Sequence, residues 1–317
     1  MKLYFAPMEG ITGLVCRNAY EACFSGSVEK YFAPFITATT QKAVSAKELR
    51  DILPEDNRVP VLVPQILANR ADAFIKTAQA ICSLGYDEIN LNLGCPSKTV
   101  VTKKKGAGFL EFPQQVDDFL CEVCEWTEKK GIRFSVKTRI GICEEEEFSE
   151  LLSVYNKYPL SELIIHPRLQ EDYYIKPVHE AVFESAKQWS RHTLCYNGDI
   201  FDADKLREFA VKHPEQDRVM IGRGFLMHPG LGYEQDASSR ALWKFHDAVY
   251  EGYRARIQGD KNVLFKMKEL WSYMSVSFDE GDTLIKKSLK QLRKSQSCGD
   301  YESAIRQLRR GSDFSEF

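Results

Sequence analysis

The sequence has no run of about 18 consecutive apolar residues, the length a membrane-crossing helix requires, which argues against an α-helical membrane protein. Its opening residues, MKLYFAPMEG, contain no apolar stretch ahead of the first proline, so no secretory signal is expected. Nine cysteines in 317 residues, an odd number without such a signal, point to reduced thiols and a cytoplasmic protein. An excess of one charge is also missing. Lys and Arg number 43 against 45 Asp and Glu, a formal net charge of −2, and that total predicts no polyanionic partner. HExxH, P-loop and GxSxG motifs are absent, which removes the common signatures of zinc peptidases, nucleotide-binding P-loops and nucleophile-elbow hydrolases. No GxGxxG follows the first β-rich run, so a dinucleotide-binding open sheet is disfavoured. Internal repeats and low-complexity linkers are missing as well. The CxxC formed by Cys121 and Cys124 sits in a helical pattern without a second pair, and the acidic run at 144–147 reads as the first turn of a helix, so no metal site is expected.

What is present is an alternation. The chain is 44% hydrophobic and 28% charged, enough to bury a sizeable core. Short β-rich runs are KLYF (2–5), VEKYF (28–32), VPVLVPQI (59–66), EINLN (88–92), RFSVKT (133–138), ELIIH (162–166), TLCYN (193–197) and RVMIG (218–222). Helical patterns lie between them, among others at 71–84, 114–130, 144–157 and 203–212. Strands alternating with helices imply parallel βαβ units, and eight such units in this length are the arithmetic of a (β/α)8 TIM barrel. From about Ala237 the β signal stops. Four stretches then show apolar residues at helical spacing, with breaks at Gly259-Asp260, Glu280-Gly281 and Cys298-Gly299-Asp300. The expected fold is therefore α/β, a barrel over 1–236 followed by a smaller all-helical domain over 237–317. Between Thr283 and Arg310, Lys286, Lys287, Lys290, Arg293, Lys294, Arg306, Arg309 and Arg310 face only Asp300 and Glu302. A basic segment on an acidic body is either an electrostatic footprint for nucleic acid or a solvated helix face.

In such a barrel, chemistry collects where the strands end. Unusual residues gather there: Ala6-Pro7-Met8-Glu9-Gly10 after the first strand, Gln65 after the third, Asn92-Leu93-Gly94-Cys95-Pro96 after the fourth and Lys137-Thr138-Arg139 after the fifth. His166-Pro167-Arg168, Asn197-Gly198-Asp199 and Gly222-Arg223-Gly224 follow the sixth, seventh and eighth. Each has an ordinary structural reading: turn chemistry for Asn-Gly-Asp, a small buried hydrophobe for the cysteine, a core histidine, a surface lysine. Their recurrence at one end of nearly every strand favours a site. The last two loops are where many barrels bind phosphate; glycines admit backbone amides and Arg223 adds a charge-assisted contact, so a phosphate-bearing cofactor or substrate is expected. Lys137 would stabilise negative charge on a bound ring, and Gln65 offers both donor and acceptor to a flat heterocycle. Cys95 is the best single candidate for chemistry, as nucleophile or as acid. The loop after it, SKTVVTKKKGAG (97–108), reads as a mobile basic lid or as a plain solvated loop.

These residues resemble the tRNA-dihydrouridine synthases. The resemblance runs through APMEGIT with Arg17 downstream, INLNLGCPSKTV followed by KKKGAGFL, VKTRIG, IIHPR, YNGD and VMIGRG, while LFKMKELWSYM resembles that family's helical RNA-binding part. It implies bound FMN, reduced by NADPH, and reduction of the C5–C6 bond of a tRNA uridine to 5,6-dihydrouridine. It further implies that Pro7, Met8, Gln65, Lys137, His166, Asn197, Gly198, Asp199, Gly222 and Arg223 hold FMN. By the same resemblance Cys95 is the general acid, and Asn92, Arg139 and Arg168 face the uracil or its phosphate. The basic helices would grip the tRNA backbone. Three positions depart from the family pattern: Gly13 stands for its usual Asp, Pro167 for Gly and Asp172 for Gln, while Tyr174 keeps its place. They lie on the substrate side and bear on which uridine is chosen more than on flavin binding. Rival readings are a flavin barrel acting on a small molecule or on another structured RNA, an aldolase with Lys137 as Schiff-base lysine, and a non-enzymatic RNA binder. The last two leave Cys95 unexplained. Nothing demands more than a monomer.

Overall fold

The computed structural model describes residues 1–40, 44–233, 239–279 and 281–311. Ten parallel strands form one sheet: β1 (Lys2–Phe5), β2 (Lys30–Phe32), β3 (Ile36–Thr37), β4 (Leu62–Val63), β5 (Gln65–Leu67), β6 (Glu88–Leu93), β7 (Arg133–Thr138), β8 (Glu162–Ile165), β9 (Leu194–Tyr196) and β10 (Arg218–Ile221). Their order is β3-β5-β6-β7-β8-β9-β10-β1-β2-β4. All but the two-residue β3 coincide with expected runs, β5 and β6 each extending one residue past theirs, to Leu67 and Leu93. Pro64, which has no N–H to donate, splits the third run into β4 and β5. β4 pairs with β2 through Tyr31↔Leu62, whereas β5 pairs with β3 and β6, Gln65 opposite Asn90. The Pro64 carbonyl still accepts from Asn90 N at 3.0 Å. Hence the two ends of the sheet order, β3 and β4, lie on the same stretches of chain that carry β2 and β5.

The chain forms two compact units. The first comprises Met1–Pro7, Glu29–Asp199 and Phe209–Ile221 and holds every strand. Its strands are buried on both faces, which is why they read as nearly continuous apolar runs. Tyr4, Ala6, Phe32, Val63, Ile164, Cys195 and Met220 make one buried interior cluster. Helices cover the outside. Helix Ala71–Cys82 buries Ala71, Ala73, Phe74, Thr77, Ala78 and Ile81 along one stripe. Phe74 meets Phe119 of helix Pro113–Lys130 edge-on at 5.6 Å and Phe134 of β7 at 5.5 Å. Each such ring contributes about 2–3 kcal/mol by leaving water. In the second of those helices Cys121 is exposed and Cys124 buried, so the two thiols face apart. The acidic run does not open its helix at 144. Helix Glu147–Tyr155 begins three residues later, because the Glu147 carboxylate turns back to accept from the amides of Ile142, Cys143 and Glu144 at 2.8–2.9 Å. At the amino ends of the strands charges are paired: Lys30 with Glu88 at 2.8 Å, Arg218 with Glu162 at 3.3 Å, and Tyr4 Oη donating to Glu162 at 2.9 Å.

The second unit comprises Met8–Val28, Ile200–Glu208 and Gly222–Phe317. Its helices Ser239–Arg256, Asp260–Met274, Thr283–Lys294 and Cys298–Gly311 are the four expected ones. The break expected at 298–300 is instead a helix start. Ser297 Oγ accepts from Asp300 N and the Asp300 carboxylate accepts from Ser297 N, a reciprocal cap. The expected domain boundary at 236/237 and Glu280 lie outside the described residues. Trp271 Nε1 donates to Tyr301 Oη at 2.7 Å, and His246 Nε2 lies 2.7 Å from the same oxygen. Helix Leu14–Cys23 packs on helix Ser239–Arg256, where a Cβ on Gly252 would stand 2.7 Å from Val15 Cγ1. Helix Leu14–Cys23 starts at Gly13 with no side-chain cap, the structural result of glycine at that position. Helix Thr283–Lys294 buries Ile285, Ser288, Leu289 and Leu292 and turns Lys286, Lys287, Lys290, Arg293 and Lys294 outward.

Candidate active site

In the first unit, strand register collects polar side chains at the carboxyl ends. Gln65 stands opposite Asn90, Asn90 opposite Ser135, and Asn92 opposite Lys137. Residues two apart on a strand share a face, so these five line one side of the sheet. They are joined by hydrogen bonds. Asn90 Nδ2 donates to Ser135 Oγ at 2.8 Å, Gln65 Nε2 to Asn90 Oδ1 at 2.7 Å, and Asn92 Nδ2 to Gln65 Oε1 at 2.7 Å. Asn92 Oδ1 then accepts from the amides of Gly94 and Cys95 at 3.0 and 2.9 Å. A buried amide chain therefore runs from the sheet to the backbone of Cys95, whose side chain is half-buried. Asn90 and Ser135 are absent from the sequence-based site; two polar residues at alternate positions of otherwise apolar strands were the available signal.

Lys137 ends this row differently. Its Nζ makes no hydrogen bond or ion pair with the described residues, unlike the paired charges at the amino ends. Burial, and then the Arg139 guanidinium, push its ammonium down to about 8. The cation is thus poised for a negative or electron-rich group that the protein itself does not supply.

Three arginine and histidine candidates are bonded within the unit. Arg139 donates to the carbonyls of Gly94 at 3.0 Å, Leu169 at 2.6 Å and Tyr173 at 2.5 Å, tying the loop after β6 to the loop after β8. Arg168 forms a two-pronged pair with Asp199 and also contacts His166 Nε2 at 3.0 Å and the Lys176 carbonyl at 2.7 Å. Asn197 Nδ2 donates to the Met220 carbonyl at 2.7 Å, and the Tyr196 hydroxyl occupies the space a Cβ on Gly198 would need. Asp172, the departure from the family pattern, is buried; its carboxylate accepts from Leu169 N at 2.8 Å and meets Lys176 at 3.0 Å and His179 Nε2 at 2.8 Å. Pro7 closes the first unit's opening segment. Met8, Gly222 and Arg223 belong to the second unit. There Met8 N donates to Thr12 Oγ1 at 2.7 Å, Gly222 precedes the short helix Arg223–Met227, and Arg223 lies over the Phe201 ring at 4.8 Å.

The segment after Cys95 carries local structure. It contains helix Lys98–Val101 and the 3-10 turn Gly106–Phe109, with Lys105 Nζ donating to the Ala38 carbonyl at 2.8 Å and Ala107 N to the Cys95 carbonyl at 3.0 Å. Gly106 has φ +56, and a Cβ there would sit 2.8 Å from the Cys95 carbonyl and 3.0 Å from its Cβ. Gly106→Ala is expected to cost about 1–3 kcal/mol in backbone strain and displacement. The displaced turn should uncover Cys95, so peptide-mapped alkylation of that thiol would run faster than in the wild type.

Glu184, His213 and Glu215 also cluster, with ligand atoms within 4.8 Å of one another. The Lys187 ammonium already reaches both carboxylates, and His213 bonds Glu180 and Glu184 through its two ring nitrogens. That arrangement is a charge network between helix Glu180–Trp189 and the turn after helix Ala203–Lys212.

A parallel α/β sheet with polar side chains gathered at the carboxyl ends of its strands is the layout of a catalytic α/β protein. The chain belongs to the dihydrouridine synthase family, whose model matches residues 4–302. It is 29% identical over 285 residues to a probable tRNA-dihydrouridine synthase of Staphylococcus aureus (strain COL), covering 86% of this chain and 82% of that protein. It is 27% identical over 253 residues to probable tRNA-dihydrouridine synthase 2 of Bacillus subtilis (strain 168), covering 77% and 74%. No helix among the described residues is long and apolar enough to cross a membrane.

Proposed function

We propose that this chain reduces the C5–C6 bond of specific uridines in tRNA, on a closed (β/α)8 barrel over 1–236 with a helical RNA-binding domain over 237–317. The observation that carries the reading is Cys95. Its backbone is held by the Gln65–Asn92 amide chain, and Lys137, an ammonium without a hydrogen-bonding partner among the described residues, follows on the neighbouring strand. That donor set fits an anionic flavin ring, and FMN recharged by NADPH would supply the reducing equivalent to uracil C6. Lys137 and Gln65 would bind the ring, with Pro7, Met8, His166, Asn197, Gly198, Asp199, Gly222 and Arg223 completing the FMN site. Asn92, Arg139 and Arg168 would shape the uracil side. Negative charge builds toward uracil C5, and the Cys95 Sγ proton is the one delivered there. A uridine in folded RNA must leave its stack to reach this depth. The exposed basic faces of helices Thr283–Lys294 and Cys298–Gly311 suit a phosphate backbone, with a steep salt dependence.

The test is nucleoside mass spectrometry of unmodified tRNA incubated with the protein and NADPH. A uridine heavier by two hydrogens supports the reading. A yellow protein that NADPH bleaches without modifying tRNA retains the flavin barrel and moves the substrate to a small molecule or another RNA. A protein that stays colourless with added FMN overturns the reading.

A further inference from the structure

We propose that His179, held between Glu145 and Asp172, is a positioning residue that fixes the 169–176 loop beside the site and thereby sets how tightly the nucleotide substrate is held. The substrate's identity rests on the function proposed above; the loop's dependence on His179 does not.

The geometry is specific. His179 Nδ1 lies 2.6 Å from Glu145 Oε1 and Nε2 lies 2.8 Å from Asp172 Oδ2. A neutral imidazole has one N–H, so an acceptor at each nitrogen is served in full only by the imidazolium. Asp172 is the hub of the loop, binding Leu169 N and Lys176 besides His179. Glu145 comes from the segment after β7, so His179 ties the loops after β7 and β8 together. His179 N also donates to the Pro167 carbonyl at 2.7 Å. From the inner side Arg139 holds the carbonyls of Leu169 and Tyr173.

What the clamp presents is an aromatic tip. Tyr173 has φ +50, a conformation that bulky residues adopt only when their surroundings impose it. Tyr173, Tyr174 and Ile175 are 43%, 53% and 89% exposed. The Tyr174 ring stacks on His166 at 5.9 Å and lies 5.1 Å from the Arg139 guanidinium. A rigid, flat, half-exposed ring next to a site residue is a surface on which a nucleobase stacks.

The charged groups facing His179 are Glu145 from one loop and Asp172 and Lys176 from the other, with Arg139 on the far side of Asp172. Burial disfavours the imidazolium, but the two carboxylate hydrogen bonds outweigh it and His179 is raised above its ordinary value. A raised folded-state pKa means that the clamp's contribution is fully present below the ordinary histidine value and is lost as pH climbs through the raised one.

The experiment is hydrogen exchange of peptides covering 169–176 in the full chain across a pH series, corrected for intrinsic exchange, alongside KM and kcat for unmodified tRNA. Wild-type protection should fall about tenfold as pH rises past the His179 value, and H179Q should show the low protection at every pH. E145Q, at an exposed position, should fall part of the way. With H179Q, KM for tRNA should rise about tenfold with kcat nearly unchanged, the mark of lost uniform binding. Equal protection in H179Q and wild type, or an unmoved KM, would overturn the proposal. A wild-type protein that modifies no tRNA at any pH would defeat the proposed function, while the exchange data would still decide the clamp.

Discussion

Cys95→Ala should reduce dihydrouridine formation by roughly 100- to 10,000-fold, the usual contribution of a positioned general acid. Single-turnover product analysis measures this, and bleaching of bound flavin by NADPH in the same sample should proceed as in the wild type. The separation is expected because the backbone hydrogen bonds that place the loop survive the substitution. Asn92 holds the amides of Gly94 and Cys95, and Ala107 N holds the Cys95 carbonyl, all backbone groups that alanine retains. Cys95→Ser should also be severely impaired, since a hydroxyl is a much weaker acid in the same place. An alanine variant keeping a tenth or more of the wild-type rate would assign the C5 proton to another donor.

Asp199→Ala should destabilise the first unit by about 3–5 kcal/mol, the cost of stranding a buried charge. Arg168 is 2% exposed and directs both terminal nitrogens at Asp199. Its other contacts, His166 Nε2 and the Lys176 carbonyl, do not neutralise it. Thermal melting of the protein should therefore drop by about 10 °C or more. Asp199→Asn, which keeps an acceptor, should fall between the two. Adding Arg168→Met to Asp199→Ala should recover much of the loss, because the uncompensated charge is gone. If Asp199 acted chiefly on a cofactor, the alanine variant would melt normally and lose only flavin affinity.

The strands were legible because parallel strands buried on both faces leave continuous β-branched and aromatic runs, and β7 matches its run residue for residue. Pro64 was visible too, but where a proline breaks a ladder depends on which neighbour each half pairs with. The starts of helices Glu147–Tyr155 and Cys298–Gly311 were set by carboxylates and a serine reaching back to backbone amides, a choice among several local caps that periodicity does not rank. At the site, Gln65, Asn92, Cys95 and Lys137 stood out as polar residues at strand ends. Arg139 and Arg168 also stood out as cations, but sequence carries a charge and not its partner. In the structure their guanidiniums are bonded to loop carbonyls and to Asp199. Asp172 was noticeable only as a departure from the family pattern; its link to His179 and Glu145 joins positions 34 residues apart, which no local pattern encodes.

Pro64 also limits how this chain can change in length. The residues on either side of it serve different neighbours, β2 before and β6 after, with Gln65 placed inward by a count of one from the proline. Side chains alternate strictly along a strand, so adding or deleting one residue just ahead of Gln65 would turn it outward and bring Pro64, Ile66 or the inserted residue to the amide chain that holds Cys95. Substitution at these positions is a graded matter, whereas an insertion there exchanges the inward and outward side chains of that strand. Natural length variation is therefore expected in the helices and outer turns, with the spacing from Val61 to Asn92 altered only in the helix Ala71–Cys82 and its flanks.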